Sequence, residues 1–211
     1  MRFRPTLIVL AAGRGSRFLG DQHKLDQAIG TNTVLGCTVR RAVETQLPVV
    51  VVTVAARAAA LSRQLATRDI VVVSDEEAAR GMGHSIAAGV AERSGAPGWL
   101  VLPGDMPMVR SDSLLAVATA LEQHAVAHAQ YRGRRGHPVG FSAELYTELV
   151  LLDGDDGARK LVARYPAHGQ EVDDPGVLLD IDTVADLQQA RALMAAGASD
   201  NRPALFPRSG G

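Results

Sequence analysis

Three short stretches of the chain are continuously apolar rather than alternating: residues 7–11, 49–54, broken by Thr53 alone, and 70–73. A strand with one wet face alternates apolar and polar positions. Continuous runs of this length suit strands covered on both faces, as in a parallel sheet. Between them, residues 33–46 and 55–66 carry apolar positions at helical spacing, and strand alternating with helix predicts βαβ units. A fourth strand, 99–102, runs into Pro103-Gly104-Asp105-Met106-Pro107. Open sheets of this kind bind ligands beyond the carboxyl ends of their strands, so the loops at 12–24 and 103–107 should face one crevice. After Glu122 the pattern changes: strand candidates at 125–131 and 138–141 flank a Gly/Arg turn at 132–136, which predicts a hairpin-like excursion. Residues 177–181 form a further apolar segment, and Thr183 after it is a suitable N-cap for a helix over 184–196. From Gly197 the residues are small and polar with no periodicity, so one domain over 1–196 is expected, followed by a flexible tail over 197–211.

Composition narrows the classes. With 211 residues the chain holds one full domain rather than two, and 46% hydrophobic against 21% charged residues is enough to build a core. The balance of 22 basic and 23 acidic side chains gives a net charge of -1. No broad cationic field exists to hold nucleic acid or a membrane surface, so any anionic ligand must be met by local charge. Aromatic residues are 4% of the chain, with Trp99 the one tryptophan, which leaves little for a base-stacking platform. The single thiol, Cys37, excludes an internal disulfide and a multi-cysteine zinc site. It suits a reducing compartment, and the cytoplasm is the expected address. The first apolar run is too short to span a bilayer.

Local charge is concentrated after the first strand. Gly13 and Gly15 let backbone N–H groups approach a phosphate, because glycine has no Cβ in the way. Arg14, Arg17 and Lys24 add three cations to the same loop. This is not a Walker loop, since Gly20 is followed by Asp21, nor a dinucleotide fingerprint, since Phe18 stands at the third glycine. Asp105, between two prolines at a strand end, is a stiffly mounted carboxylate for a divalent cation; a turn aspartate capping the helix after Ser111 is the plainer alternative.

Other features have ordinary explanations. Ser85 nearly completes a nucleophile elbow, but Ala87 stands at the last glycine and no strand leads into it; Gly83 and Ser85 instead open a helix. His124 and His128 have metal-compatible spacing without a joining Glu-x-x-His pattern and read as a solvated pair. Cys37 reads as a small buried hydrophobe, and Asp75-Glu76-Glu77 and Asp173-Asp174 as solvated loops, the former placed to gate a pocket at Gly81. Arg132, Arg134 and Arg135 are either an exposed hairpin tip or an anion contact.

LAAGRGSRF with Lys24, then GMGHS, LPGDMP, GHPVGF, GDDGARKLV and DIDTVADL occur in that order. Together they resemble the MobA-like nucleotidyltransferases, and more narrowly the molybdenum cofactor cytidylyltransferases, over residues 6–193. The resemblance implies a three-layer, Rossmann-like α/β fold with a mostly parallel central sheet and an antiparallel excursion in the C-terminal half. It implies Mg²⁺-dependent transfer of CMP from CTP to the phosphate of molybdopterin, with release of pyrophosphate. Leu10, Ala11, Ala12, Gly13, Gly15, Arg17 and Lys24 would then wrap the triphosphate, with Gly81, Gly83 and Ser85 toward base and ribose and Gly104 beside them. Lys24, Arg17 and Asp105 would be catalytic, and Asp105 with Asp180 or Asp182 would hold the metal. His137, Pro138, Asp156, Gly157 and Arg159 would lie on the pterin side. Partners implied are CTP or GTP, molybdenum cofactor, and a recipient molybdoenzyme or its chaperone, with no nucleic acid or membrane. The rivals are a guanylyltransferase, a sugar-phosphate nucleotidyltransferase and a non-catalytic cofactor-delivery protein. LAAG and LPGDMP favour the cytidylyl branch by resemblance. Leu19 before Gly20, and Val184-Ala185 after Thr183, depart from the family pattern.

Overall fold

A computed structural model describes residues 3–13, 15, 18 and 22–200. The apolar runs become β1 (Thr6–Ala11), β4 (Val49–Val54), β5 (Ile70–Val73) and β6 (Gly98–Pro103), with a two-residue ribbon of β2 (Ala28–Ile29) and β3 (Asn32–Thr33) leading into α1 (Val34–Glu44). Thr33 caps α1 by accepting from the Gly36 N–H. Then come α2 (Ala55–Leu61), α3 (Asp75–Ala79), α4 (Met82–Glu92), α5 (Ser111–Ala120), the hairpin β7 (Val126–Tyr131) and β8 (Arg134–Ser142), α6 (Tyr146–Val150), α7 (Arg159–Arg164), β9 (Ala167–Glu171) and α8 (Val184–Asp200). One seven-stranded sheet is ordered β5-β4-β1-β6-β8-β7-β9. All its neighbours pair in parallel except β8, which is antiparallel to both β6 and β7.

Two apolar layers cover the sheet. Leu7, Val9, Val51 and Leu102 face α1 and α5, whereas Ile8, Val50, Val52 and Val101 face α4 and the 145–162 segment, the two-residue alternation of a strand buried on both sides. Trp99 is fully buried and its indole N–H donates to the Arg93 carbonyl at 3.1 Å. Cys37 is buried in the core. Among the described residues, no helix is long and apolar enough to cross a membrane.

Several local expectations are corrected. A seventh strand, β9, joins the six expected ones with a polar sequence, AHGQE, whereas the apolar segment 177–181 lies in and after a 3-10 turn, Pro175–Leu178, whose proline offers no N–H to a ladder. Asp75, Glu76 and Glu77 are the first turn of α3, where a capping box of Ser74 and Glu77 and the helix dipole favour acids. His124 and His128 are not a solvated pair: His128 is buried in β7, and His124 stacks on His168 with ring centroids 4.1 Å apart. The last helix continues to Asp200, four residues beyond its expected end; residues 201–211 of the expected tail lie outside the described residues.

Asp174 is also corrected, from a loop acid to a buried tie. Its carboxylate accepts from the Arg110 N–H at 2.8 Å, the Ser113 hydroxyl at 2.7 Å and the Gly176 N–H at 2.9 Å. It thereby joins the start of α5 to the turn that precedes the late acids. Asp174→Ala strands three donors in a buried place, each costing about 1 kcal/mol or more. We expect a loss of about 3 kcal/mol, or about 6–12 °C in Tm, in thermal unfolding. A shift under about 2 °C would count against the tie.

Candidate active site

The chain runs from β1 out to β5 and then returns to form β6 on the other side of β1, so β1 and β6 flank a topological switch point, where a crevice opens beyond the strand ends. The two loops expected to face each other meet there, Lys24 against Asp105; behind them the Gly104 N–H donates to the Leu10 carbonyl of β1 at 2.8 Å, and the Thr38 hydroxyl donates to the Gly104 carbonyl at 2.9 Å. A Cβ on Gly104 would stand 2.8 Å from the Leu10 carbonyl oxygen, so glycine is what lets the two strand ends close together. Gly104 thus sets the spacing from behind the cleft.

A cavity of about 540 Å³ opens beside these ends, lined by Leu10, Ala12, Gly13, Gly15, Lys24, Gly81, Ser85, Asp105 and Asp182 among others. Gly15 adopts φ +60°, and its loop is backed by His23. The His23 Nδ1 accepts from the Leu25 N–H at 3.2 Å, so its Nε2, 3.0 Å from the Gly13 carbonyl, is the donor in a neutral ring. Burial, and then Arg57, hold its pKa below the ordinary 6.5. Phe18, at the site of the absent third glycine, is buried in the core. Arg14 and Arg17 lie outside the described residues. Ala11 points its side chain into the core.

Lys24 opens a 3-10 turn, Lys24–Asp26. Its ammonium is 2.6 Å from Asp105 Oδ2 and 2.7 Å from Asp182 Oδ1. Burial works against the charge, but the carboxylates of Asp105 and Asp182 outweigh it and raise the pKa above 10.5, so the lysine is cationic at neutral pH. Asp182 comes within reach because the Ile181 N–H donates to the Asp105 carbonyl at 3.0 Å, which pins the late segment to the PGDMP loop. Asp105 is not a cap for α5, whose N-cap is Arg110 without a side-chain bond. Thr183, by contrast, does cap α8, accepting from the Asp186 N–H while Asp186 accepts from its own N–H.

Does this set fit a divalent cation? Asp105 Oδ1 is buried and has no partner among the described residues, and the donors are carboxylate oxygens, which suit Mg²⁺ or Mn²⁺. Among the described residues there is no group of three or more His, Cys, Asp or Glu able to hold a metal alone. Two carboxylates plus substrate phosphate oxygens are the usual arrangement for Mg²⁺, so the residues fit a metal that arrives with a nucleotide. Asp180 is exposed and sits to the side, in the second cavity.

The remaining residues divide by distance from the cleft. Gly81, at φ +100°, starts α4 and packs against the backbone of Gly154 and Asp155. The Gly83 N–H donates to the Gly154 carbonyl at 2.9 Å. The 153–157 loop therefore braces the cavity of about 540 Å³, which Asp155 lines, and Gly157 packs near Met82 from behind. Asp156 and Arg159 are exposed and line neither cavity; Asp156 pairs with Lys160 at 2.9 Å. His137 lines the second cavity, about 300 Å³, together with Met106, Arg134, Arg135, Val177 and Leu178. Pro138 follows His137 through a cis peptide bond and is buried. Asp105, Asp182, Met82 and Pro103 line both cavities, so the lysine and its acids stand where the two meet. The sequence does not mark Met82 as a cleft residue and marks Arg134 and Arg135 only as a basic cluster; Asp155, in the 154–159 loop expected on the pterin side, lines the cavity of about 540 Å³ instead.

His128 and His137 carry a pH signature. Burial first, then Arg135, lower the pKa of His128, against a bond from Gln130; burial lowers that of His137 against the charges of Asp105 and Asp180. Each folded-state pKa lies below the unfolded value of 6.5, so the unfolded chain takes up protons first as pH falls. This contribution to stability is complete above pH 6.5 and is lost as pH drops below it. Urea unfolding should show stability falling by up to about 1.4 kcal/mol per pH unit for each histidine, and His128→Gln should flatten the slope.

A glycine loop after the first strand, a lysine, an acid at a strand end and a second acid just before the last helix, gathered at the switch point of a mostly parallel sheet, are the parts of an α/β nucleotidyltransferase. The chain belongs to the MobA-like NTP transferase domain family, whose model matches residues 7–172. It is 34% identical over 129 residues to the purine catabolism protein PucB of Bacillus subtilis (strain 168), covering 57% of this chain and 60% of PucB. The chain thus spans less than two thirds of that relative. Rv0371c from Mycobacterium tuberculosis H37Rv superposes with a TM-score of 0.76 at 30% identity, covering 90% of this chain and 98% of that one. A manganese complex of Rv0371C superposes with a TM-score of 0.75 at 29% identity, covering 91% and 100%.

Proposed function

We propose that this nucleotidyltransferase moves CMP from CTP to the phosphate of molybdopterin, releasing pyrophosphate. The observation that carries the reading is the meeting of two cavities at Lys24, Asp105 and Asp182, one on the side of the glycine loop and one on the side of His137, Arg134 and Arg135. An acceptor phosphate oxygen forms the new bond to the α-phosphorus of the nucleotide while the bond from that phosphorus to the pyrophosphate oxygen breaks. A phosphate monoester is already ionised near neutral pH, so no general base is assigned. The obstacle is repulsion between two anions, and positioned positive charge removes it.

In this reading the loop around Gly13 and Gly15 takes the triphosphate, and Lys24 stabilises charge gathering on the α-phosphoryl group and the departing pyrophosphate. Arg17, outside the described residues, would join it by resemblance. Asp105 and Asp182 would hold Mg²⁺, which supplies Lewis-acid neutralisation of triphosphate oxygens when bound; the manganese complex of Rv0371C supports a divalent ion in this fold. Ser85 and Gly81 line the nucleotide cavity toward base and ribose. Arg134 and Arg135, exposed at the second cavity, offer the acceptor a cationic rim. The product would pass to a molybdoenzyme or its chaperone.

The preference for CTP rests on the LAAG and LPGDMP motifs. Incubation with CTP, Mg²⁺ and molybdenum cofactor should release pyrophosphate. Release with GTP and not CTP assigns the guanylyl branch, and release only with a sugar phosphate as acceptor removes molybdopterin. Cofactor binding without any release would make the protein a carrier.

A further inference from the structure

We propose that Lys24 is the resting counter-charge of the divalent-cation position, and that its ammonium leaves Asp105 and Asp182 when the cation engages them, becoming available to the triphosphate. The inference rests on reading those two acids as the metal-holding carboxylates. Three observations carry it.

The first is geometric. The ammonium bridges one oxygen of each acid at 2.6 and 2.7 Å. A divalent cation taking both of those oxygens at its usual distance of about 2.0–2.1 Å would press against the lysine nitrogen, and the two positive charges would repel. Lys24 and the metal are therefore alternatives at these oxygens. The second is a spare acceptor. Asp105 Oδ1 is buried without a partner among the described residues, although an unsatisfied buried acceptor is costly, so the ammonium leaves part of the acid unused. The third is room to move. Lys24 lines the nucleotide-side cavity of about 540 Å³, its four-carbon stem is flexible, and its backbone is fixed in the Lys24–Asp26 turn capped by His23. The head group can turn toward a triphosphate without carrying the main chain with it.

The consequence is linkage. Without nucleotide, Lys24 competes with the metal. A bound triphosphate gives the ammonium another anion and releases the carboxylates, so nucleotide and metal each strengthen the binding of the other by the same factor. A metal ion would then be held poorly until the substrate that needs it has arrived.

Mn²⁺ binding to the nucleotide-free protein, followed by the electron paramagnetic resonance of the free ion, tests this without turnover. Lys24→Met should bind Mn²⁺ on the order of tenfold tighter than the wild type, within the usual range of coupling between sites, while Lys24→Arg stays weak. Equal or weaker binding by Lys24→Met overturns the proposal. Because that variant removes the counter-charge between two neighbouring acids and risks its fold, a second measurement uses the wild-type chain. Its two lysines are Lys24 and Lys160, so lysine labelled with ¹³C at Cε gives two nuclear magnetic resonance signals. Saturating Mg²⁺ should move the Lys24 signal well beyond any change at Lys160, and a Lys24 signal that stays in place overturns the proposal. Failure of the cytidylyl-transfer reading registers elsewhere, as absent pyrophosphate release, and leaves both metal titrations interpretable.

Discussion

Asp105→Asn is expected to lower turnover by about 10³-fold or more while the protein stays folded. The carboxylate sits in a loop between two prolines, with one oxygen on Lys24 and the other buried and unpartnered among the described residues. An amide of the same shape keeps the packing but removes the negative charge that would hold a metal against triphosphate oxygens. The fold tolerates the change because Lys24 keeps Asp182 at 2.7 Å, and because the loop is held by backbone bonds, Gly104 to Leu10 and Ile181 to the Asp105 carbonyl. Asp180→Asn is the control. That acid is exposed and off the lysine, so its replacement should cost less than about tenfold. Initial rates of pyrophosphate release, with Tm recorded for each variant, separate the outcomes. If Asp180→Asn is the crippled variant and Asp105→Asn is near normal, the assignment of the metal carboxylates is inverted.

Gly81→Ala is expected to damage nucleotide binding without touching a charge. Gly81 has φ +100° and ψ 179°, a region open to glycine and costing other residues about 1–3 kcal/mol. An added Cβ would also lie 2.4 Å from the Gly154 carbonyl carbon and 2.6 Å from the Asp155 nitrogen. Both are backbone atoms, so relief requires the start of α4 to part from the 153–157 loop. The two effects together should cost about 2–4 kcal/mol in denaturant unfolding. Since Gly81, Met82, Ser85 and Asp155 line the cavity of about 540 Å³ proposed to take the nucleotide, KM for the nucleotide should rise at least about tenfold, with a smaller change in kcat. Gly95→Ala provides the contrast, because among the described residues nothing lies within 4 Å of a Cβ built there and Gly95 lines neither cavity. Equal losses from the two variants would mean that the fit of α4 against its loop is not what shapes the pocket.

The central strands were legible because burial on both faces leaves a mark in the sequence itself: β1, β4, β5 and β6 contain unbroken apolar runs, and helices lie between most of them. The same logic failed at the far edge. The strand β9 reads AHGQE and carries no apolar signal, since an edge strand is held by one ladder of main-chain bonds to which every residue type contributes alike. Residues 177–181 carry the signal and are not a strand, because Val177 and Ile181 are buried in a turn and the segment after it. Hydrophobicity reports burial, and burial is not conformation.

For the cleft, Gly13, Gly15, Lys24 and Asp105 could be placed from the sequence alone, because ligand sites in such sheets lie at strand ends and strand ends can be read. What the sequence left open was which late acid matters. Asp180 and Asp182 differ by two positions, and the bond from the Ile181 N–H to the Asp105 carbonyl holds the segment so that Asp182 meets a lysine 158 residues away. The assignments of Asp174 to a buried tie, of Arg134 and Arg135 to a second cavity and of Asp156 to the surface were decided in the same way. Spacing along the chain fixes what a segment can become on its own; which side chains share a charge depends on register between distant segments, and that exists only after the sheet has closed around its core.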